Sequence, residues 1–141
     1  MLFGISEFTI ATFSSLVNSF SGFLYEYAKK HDIHVTFFMT GGWVEDFPED
    51  VKAIHEAGHE LGNHGFYHKN QDKLDYEANL TEIKACHDVV SKNLGIEMTL
   101  FAPPSGAYNT TTVDAATSLN YKTIMWTHDT IDWRDQNSDL I

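Results

Sequence analysis

Residues 34–40 read HVTFFMT, a continuous apolar run that ends at Gly41-Gly42. Runs of this kind are typical of strands that are buried on both faces, and such strands occur in parallel sheets covered by helices. A buried strand at this position therefore predicts helical segments on both sides of it in the sequence.

The segments around this strand alternate between strand and helix patterns. Strands are predicted at residues 8–13, 60–63, 99–102 and 122–126, and helices at residues 20–31, 48–57, 74–94 and 111–119. Strict alternation predicts an α/β fold with parallel strands and right-handed helical crossovers. Both an open doubly wound sheet and a (β/α) barrel fit this order. In either architecture, the chemistry lies where strands end and loops begin.

The composition fits a single domain over residues 1–141. The chain is 43% hydrophobic and carries 9 Lys+Arg against 20 Asp+Glu, a formal net charge of −11. This acidic balance argues against a nucleic-acid surface, because phosphate binding depends on Lys and Arg. The single cysteine, Cys86, excludes an internal disulfide and a CxxC zinc ribbon. No apolar run reaches the length of about 18 residues that a membrane span needs.

Residues 55–68 contain four histidines, and two metal-binding patterns compete for them. In the metzincin pattern H-E-x-x-H-x-x-G-x-x-H, His55 and His59 bind zinc, Glu56 activates water, and His64 is taken as the third histidine. Context argues against this protease, because the helix is expected to end at Gly58. We therefore predict that neither His55 nor His59 is a zinc ligand.

The second pattern, N-H-x-x-x-H, places a metal on His64 and His68. Imidazoles four residues apart on a loop or a single turn can bind one Zn²⁺ ion. The alternative is that these histidines only decorate a polar loop, since spacing alone is weak evidence for a ligand pair.

Four motifs resemble, in the same order, those of the NodB-homology polysaccharide deacetylases. They are HVTFFMTG at 34–41, GHELGNHGFYH at 58–68, FAPPSGAYN at 101–109 and MWTHDTIDW at 125–133. The family removes acetyl groups from chitin-like or peptidoglycan polymers with a divalent metal. The resemblance covers residues 12–133 and implies a deformed (β/α) barrel. We expect this barrel to be incomplete at the C-terminus, because the sequence stops at Ile141 before the family's final L-x-H motif.

The resemblance also implies roles for individual residues. His64 and His68 match the two histidines that bind Zn²⁺ or another divalent metal. Asp132 matches a carboxylate that supports acid–base chemistry. The residues that match the family's groove for the carbohydrate polymer are Pro103, Pro104, Ser105, Gly106, Tyr108 and Trp133. Trp126 is expected to pack in the core instead.

The departures from the family pattern concern the catalytic carboxylates. The family opens with T-F-D-D-G-P, whereas residues 12–17 read TFSSLV, so Ser14 stands at the base position and Ser15 at the third-ligand position. A serine cannot take a proton from water near neutral pH, and it is a poor, neutral metal ligand. Ala102 replaces the arginine of the third motif, and Gly65 replaces a Ser or Thr. The metal is therefore expected to bind weakly.

Two functions stay open at this point. The chain is either a metal-dependent deacetylase with weak activity or an inactive paralogue that still binds carbohydrate. The resemblance implies an extracellular or cell-surface location, although no convincing signal peptide is present.

Overall fold

The computed structural model describes residues 10–13 and 28–126. Within these residues, five strands form one parallel sheet: β1 (Ile10–Phe13), β2 (Thr36–Met39), β3 (Glu60–Asn63), β4 (Leu100–Phe101) and β5 (Lys122–Thr123). The helices between the strands are α1 (Gly41–Asp46), α2 (Pro48–Glu56), α3 (Tyr76–Leu94) and α4 (Thr110–Ser118). Short 3₁₀ turns lie at Gln71–Lys73 and Pro104–Gly106.

The strand order distinguishes the two architectures that the sequence left open. Each strand pairs in parallel with the next strand along the chain, in the order β1-β2-β3-β4-β5. A doubly wound sheet reverses its strand order at a switch point, and no reversal occurs among the five described strands. The sequential order is that of consecutive units of a (β/α) barrel, which confirms the predicted fold.

The register brings the carboxyl ends of the strands to one level. Phe13 pairs with Met39, Met39 with Asn63, Asn63 with Phe101, and Phe101 with Thr123. We call this end of the sheet the carboxyl edge. Residues that directly follow the strands are therefore brought together along it.

The hydrophobic core lies between the sheet and the helices on it. Its buried members are Phe37, Met39, Trp43, Val44, Val51, Ile54, Leu61, Ile83, Cys86, Val90, Met98, Phe101, Ala116 and Tyr121. The longest described helix, α3, begins after Asp75, whose Oδ1 accepts from the Ala78 N–H at 2.8 Å. It ends at Gly95, which adopts the left-handed conformation with a φ of 67°. No described helix is long and apolar enough to cross a membrane.

Most predicted elements are found with small shifts at their ends. β3 has the predicted bounds, α2 and α3 end within one or two residues of prediction, and β4 and β5 are shorter than predicted. Of the helix predicted at residues 20–31, only residues 28–31 lie in the described part, and they are helical.

Helix α1 is a correction, because the sequence pattern places only a strand end at Gly41-Gly42. Thr40 caps this helix by accepting the Trp43 N–H on its Oγ1 at 3.3 Å. The helix begins at glycine for a steric reason: a Cβ at Gly41 would overlap the Phe66 ring. Tertiary packing thus outweighs the low helix propensity of glycine.

Candidate functional site

His64 directly follows β3 at the carboxyl edge and is 1% exposed. Its Nδ1 lies 2.7 Å from the Ala102 carbonyl oxygen, which can only accept, so Nδ1 carries the proton and Nε2 keeps a free lone pair. Burial lowers the pKa of His64 to about 4, a shift that the Ala102 hydrogen bond opposes and neighbouring His68 reinforces. The imidazole is therefore neutral at pH 7, as a metal ligand must be.

His68 lies beside His64 but faces solvent. The two ring centroids are 5.0 Å apart and the ring planes meet at 64°. With Zn–N bonds of about 2.1 Å, two imidazoles on one tetrahedral ion have their centroids about 5 Å apart. His68 is exposed and has a φ of 57°, in the left-handed region. The pair therefore has one buried, anchored imidazole and one at the surface.

A third protein ligand is not found in the described part of the chain, where no group of three His, Cys, Asp or Glu side chains converges. Ser14 and Ser15, predicted at the base and third-ligand positions, lie outside the described residues. They follow Phe13, whose Cα is level with Met39 and Asn63 in the register. Asp132 and Trp133 also lie outside the described residues, and their predicted roles stay predictions.

Residues 64–69, which we call the histidine loop, are held by the N-terminus of α1. The Gly41 N–H donates to the Gly65 carbonyl at 2.9 Å, and the Gly42 N–H donates to the Phe66 carbonyl at 3.2 Å. These two amides belong to the first turn of a helix, where N–H groups have no intrahelical partner. The loop supplies those partners, so α1 and the loop fix one another.

Glu82, on α3, also holds the histidine loop. Its Oε2 accepts from the N–H groups of Phe66 at 3.2 Å and Tyr67 at 2.9 Å, and its Oε1 pairs with Lys69 Nζ at 2.9 Å. The carboxylate is almost fully buried, and it raises the pKa of Lys69 through this hydrogen bond and its charge. Glu82 was not among the predicted site residues. The sequence did contain a signal for it, because Glu82 lies at helical spacing from the buried side chains of α3.

Gly65 departs from the family pattern for a local reason. A Cβ at this position would lie 3.2 Å from Gln71 Nε2, and the backbone φ is 73°. Gln71 is fully buried, and its amide nitrogen and oxygen have no hydrogen-bond partner among the described residues. The Gln71 amide thus fills the space that a Ser or Thr side chain at position 65 would enter.

The turn at residues 103–106, predicted as part of the groove, lies next to the histidine loop. Ala102, which anchors His64, precedes Pro103, and Pro104 Cγ would lie 3.7 Å from a Cβ at Gly65. Within the turn, Pro103 and Pro104 are buried, whereas Ser105 is exposed with a φ of 56°.

Two aromatic side chains border this turn. Tyr108 is 48% exposed. Trp126, expected in the core, is instead half-buried beside the turn, where its Cζ2 would lie 3.5 Å from a Cβ at Gly106. Trp126 therefore forms a partly exposed aromatic edge of the turn, and Tyr108 is an exposed aromatic residue two positions after it in sequence.

The metzincin arrangement is absent from this region. Helix α2 ends at Glu56 and Gly58 has a φ of 86°, which confirms the predicted break. His59 precedes β3 and His64 follows it, and five residue steps of strand separate them by about 16 Å. The pattern's third histidine also falls at Gly65 rather than at His64.

His59 has a structural environment instead. It is buried at the opposite end of β3 from the carboxyl edge, and its Nδ1 accepts from the Val35 N–H at 3.4 Å. Burial and the neighbouring His34 both lower its pKa. Its contacts are those of a side chain packed in the fold.

The comparison with known families decides the assignment. Residues 7–124 match the family model described as Polysaccharide deacetylase. The chain belongs to the polysaccharide deacetylase family. The resemblance drawn from the four motifs is thereby confirmed. This family, also called CE4, generally uses a divalent metal.

Curated relatives in this family include proteins named for their action on peptidoglycan. The YlxY protein of Bacillus subtilis is 35% identical over 75% of this chain and 33% of its own length. The peptidoglycan-N-acetylglucosamine deacetylase of Bacillus cereus is 31% identical over 80% of this chain and 41% of its own length. The chain thus spans less than half the length of these two relatives.

Solved structures of the family superimpose closely on the described fold. The wild-type BA3943 protein of Bacillus anthracis, a CE4 family pseudoenzyme, has a TM-score of 0.88 at 31% identity, over 93% of this chain and 46% of its own. A BA3943 mutant with restored enzymatic activity has a TM-score of 0.88 at 30% identity, over 93% of this chain and 48% of its own. The Bc1960 peptidoglycan N-acetylglucosamine deacetylase has a TM-score of 0.86 at 27% identity, over 96% of this chain and 63% of its own.

Proposed function

We propose that this deacetylase-family domain binds a polymer containing N-acetylglucosamine, of the chitin-like or peptidoglycan type, and deacetylates it poorly or not at all. One observation carries the proposal. His64 is anchored on the Ala102 carbonyl at 2.7 Å, and Ala102 leads directly into the turn at residues 103–106. The histidine pair and the turn predicted to form the groove wall are therefore neighbours in the fold.

The histidine pair fits one half of a divalent metal site. Imidazole nitrogens suit Zn²⁺, and the neutral His64 keeps its Nε2 free beside His68. A bound divalent metal supplies polarisation of a carbonyl oxygen and acidification of water. The chain's own part in this chemistry is to hold the metal and to move a proton. With serine at position 14, no carboxylate stands at the aligned base position.

The low expected activity follows from the aligned serines, and the comparisons support it. Ser15 brings no negative charge to the metal, and Ser14 cannot act as a base near neutral pH. General acid–base assistance is worth about 10²–10⁴ in rate, so its loss alone is enough to make deacetylation slow. A pseudoenzyme of the same family has the same fold at 31% identity, and its mutant regained activity.

A second candidate is a slow metal-dependent deacetylase with a substitute base. The retention of His64, His68 and Asp132 in the family's positions favours it. The two candidates differ in acetate release and agree in glycan binding.

We predict saturable glycan binding with little acetate release. Chitin oligomers and acetylated peptidoglycan fragments are titrated into the zinc-loaded chain by calorimetry, and released acetate is measured on the same mixtures. We expect turnover to be about 10²–10⁴-fold below that of the Bacillus cereus peptidoglycan-N-acetylglucosamine deacetylase, assayed as the matched control.

The outcomes separate the candidates. Acetate release well above this expectation that is lost on the Asp132→Asn substitution favours the deacetylase with a substitute base and assigns the base role to Asp132. The absence of binding to every glycan tested contradicts both candidates.

A further inference from the structure

Tyr67 is unusually exposed for an aromatic residue in a well-held loop. Its exposed fraction is 70%, the largest among the large hydrophobic side chains of the described residues. It stands in the histidine loop, directly before His68. Neither the family motifs nor the sequence patterns singled it out for a function.

The position of Tyr67 is fixed by three contacts. Its N–H donates to Glu82 Oε2 at 2.9 Å, and its ring meets the Phe66 ring edge-on, with centroids 4.6 Å apart. Lys69 Nζ lies 5.2 Å from the ring centroid, and Glu82 Oε1 holds that ammonium at 2.9 Å. Both the backbone and the ring are therefore restrained, while most of the side chain stays in solvent.

Such a side chain is suited to binding. Ordering a side chain costs entropy, and an exposed ring does not recover that cost by burial. A rigid tyrosine offers a large amphipathic contact area with little further entropy to lose on binding. The C–H face of a pyranose ring is the complementary apolar surface, and the Lys69 ammonium and the phenol hydroxyl can hydrogen-bond to sugar hydroxyl groups.

We infer that Tyr67 is a stacking platform for a pyranose ring next to the sugar held at the histidine pair. The inference rests on the proposed function and deepens it. A platform beside His68 requires the ligand to extend beyond one sugar. The chain should therefore favour oligomers over a single N-acetylglucosamine.

The test compares ligand lengths in matched variants. N-acetylglucosamine and its β-1,4-linked oligomers of two to five sugars are titrated by calorimetry into the wild type and the Tyr67→Ala, Tyr67→Trp and Tyr76→Ala variants. We expect Tyr67→Ala to weaken binding of the longer oligomers about three- to tenfold, the range typical of one aromatic contact. Tyr67→Trp should preserve that binding, and Tyr76→Ala, which removes an exposed tyrosine of α3, should not change it.

The outcomes distinguish this inference from the proposed function. Equal oligomer affinity in the wild type and Tyr67→Ala overturns the platform and leaves glycan binding intact. Failure of the wild type to bind any oligomer overturns the proposed function and the platform with it. Zinc affinity is measured in each variant. A parallel loss of zinc affinity in Tyr67→Ala also overturns the platform, because the side chain would then act through the loop.

Discussion

Substitution of His68 by glutamine is expected to remove zinc binding at concentrations that saturate the wild type. Loss of a residue that hydrogen-bonds to a metal ligand typically lowers metal affinity about 10–100-fold, and loss of one of two ligands should lower it further. His68 is exposed, so the substitution leaves the core intact. His64→Gln should have the same effect, and circular dichroism checks its folding because His64 is buried. Calorimetric zinc titration at fixed pH measures both variants.

His55 provides the matched control for this prediction. It is an exposed histidine at the end of α2, and the metzincin pattern would make it a zinc ligand. We expect His55→Gln to bind zinc as the wild type does. Zinc binding that survives His68→Gln but is lost in His55→Gln would contradict the site described above.

Replacement of Glu82 by alanine is expected to lower the free energy of unfolding by about 2–4 kcal/mol, because two backbone N–H groups lose a charged acceptor. The same change should reduce zinc affinity, since the loop that carries His68 is held by this carboxylate. Urea unfolding followed by circular dichroism measures the first effect, and calorimetry measures the second.

Glu77→Ala is the control for Glu82, because Glu77 is exposed on the same helix. Surface substitutions of this kind usually change stability by about 0.5 kcal/mol or less. Equal stability of the Glu82→Ala and Glu77→Ala variants would show that the Glu82 contacts do not stabilise the loop.

The fold was predictable where local pattern and tertiary packing agree. The apolar run of β2 correctly predicted a buried strand, and the glycines after α2 and α3 correctly predicted where those helices end. Both signals lie in the residues of the element itself or directly beside it. The strand order was not predictable from alternation, because a barrel and a doubly wound sheet share it. Helix α1 was missed because its start depends on Phe66, which is far away in the sequence.

The sequence indicated the two histidines that the structure brings together, and it did not indicate the groups that hold them in place. The histidine spacing and the family motifs indicated His64 and His68. The Ala102 carbonyl that orients His64 is a backbone atom 38 residues away, and a backbone atom leaves no trace in residue identity. Glu82 did leave a trace. It lies on the buried stripe of α3, with Ile83 and Cys86, where a carboxylate needs hydrogen-bond partners.

The central claim is that this chain keeps the two histidines of a metal site and has Ser14 and Ser15 at the positions of the family's two aspartates. Zinc titration of the Ser14→Asp/Ser15→Asp double variant tests it most directly. The control is Thr117→Asp/Ser118→Asp, which adds the same charge at two exposed residues at the end of α4, far from the histidines in sequence. We expect the first variant to bind zinc at least about tenfold more tightly than the wild type, because it gains an anionic oxygen ligand, and the control to bind as the wild type does. Equal zinc affinity in all three proteins would contradict the claim.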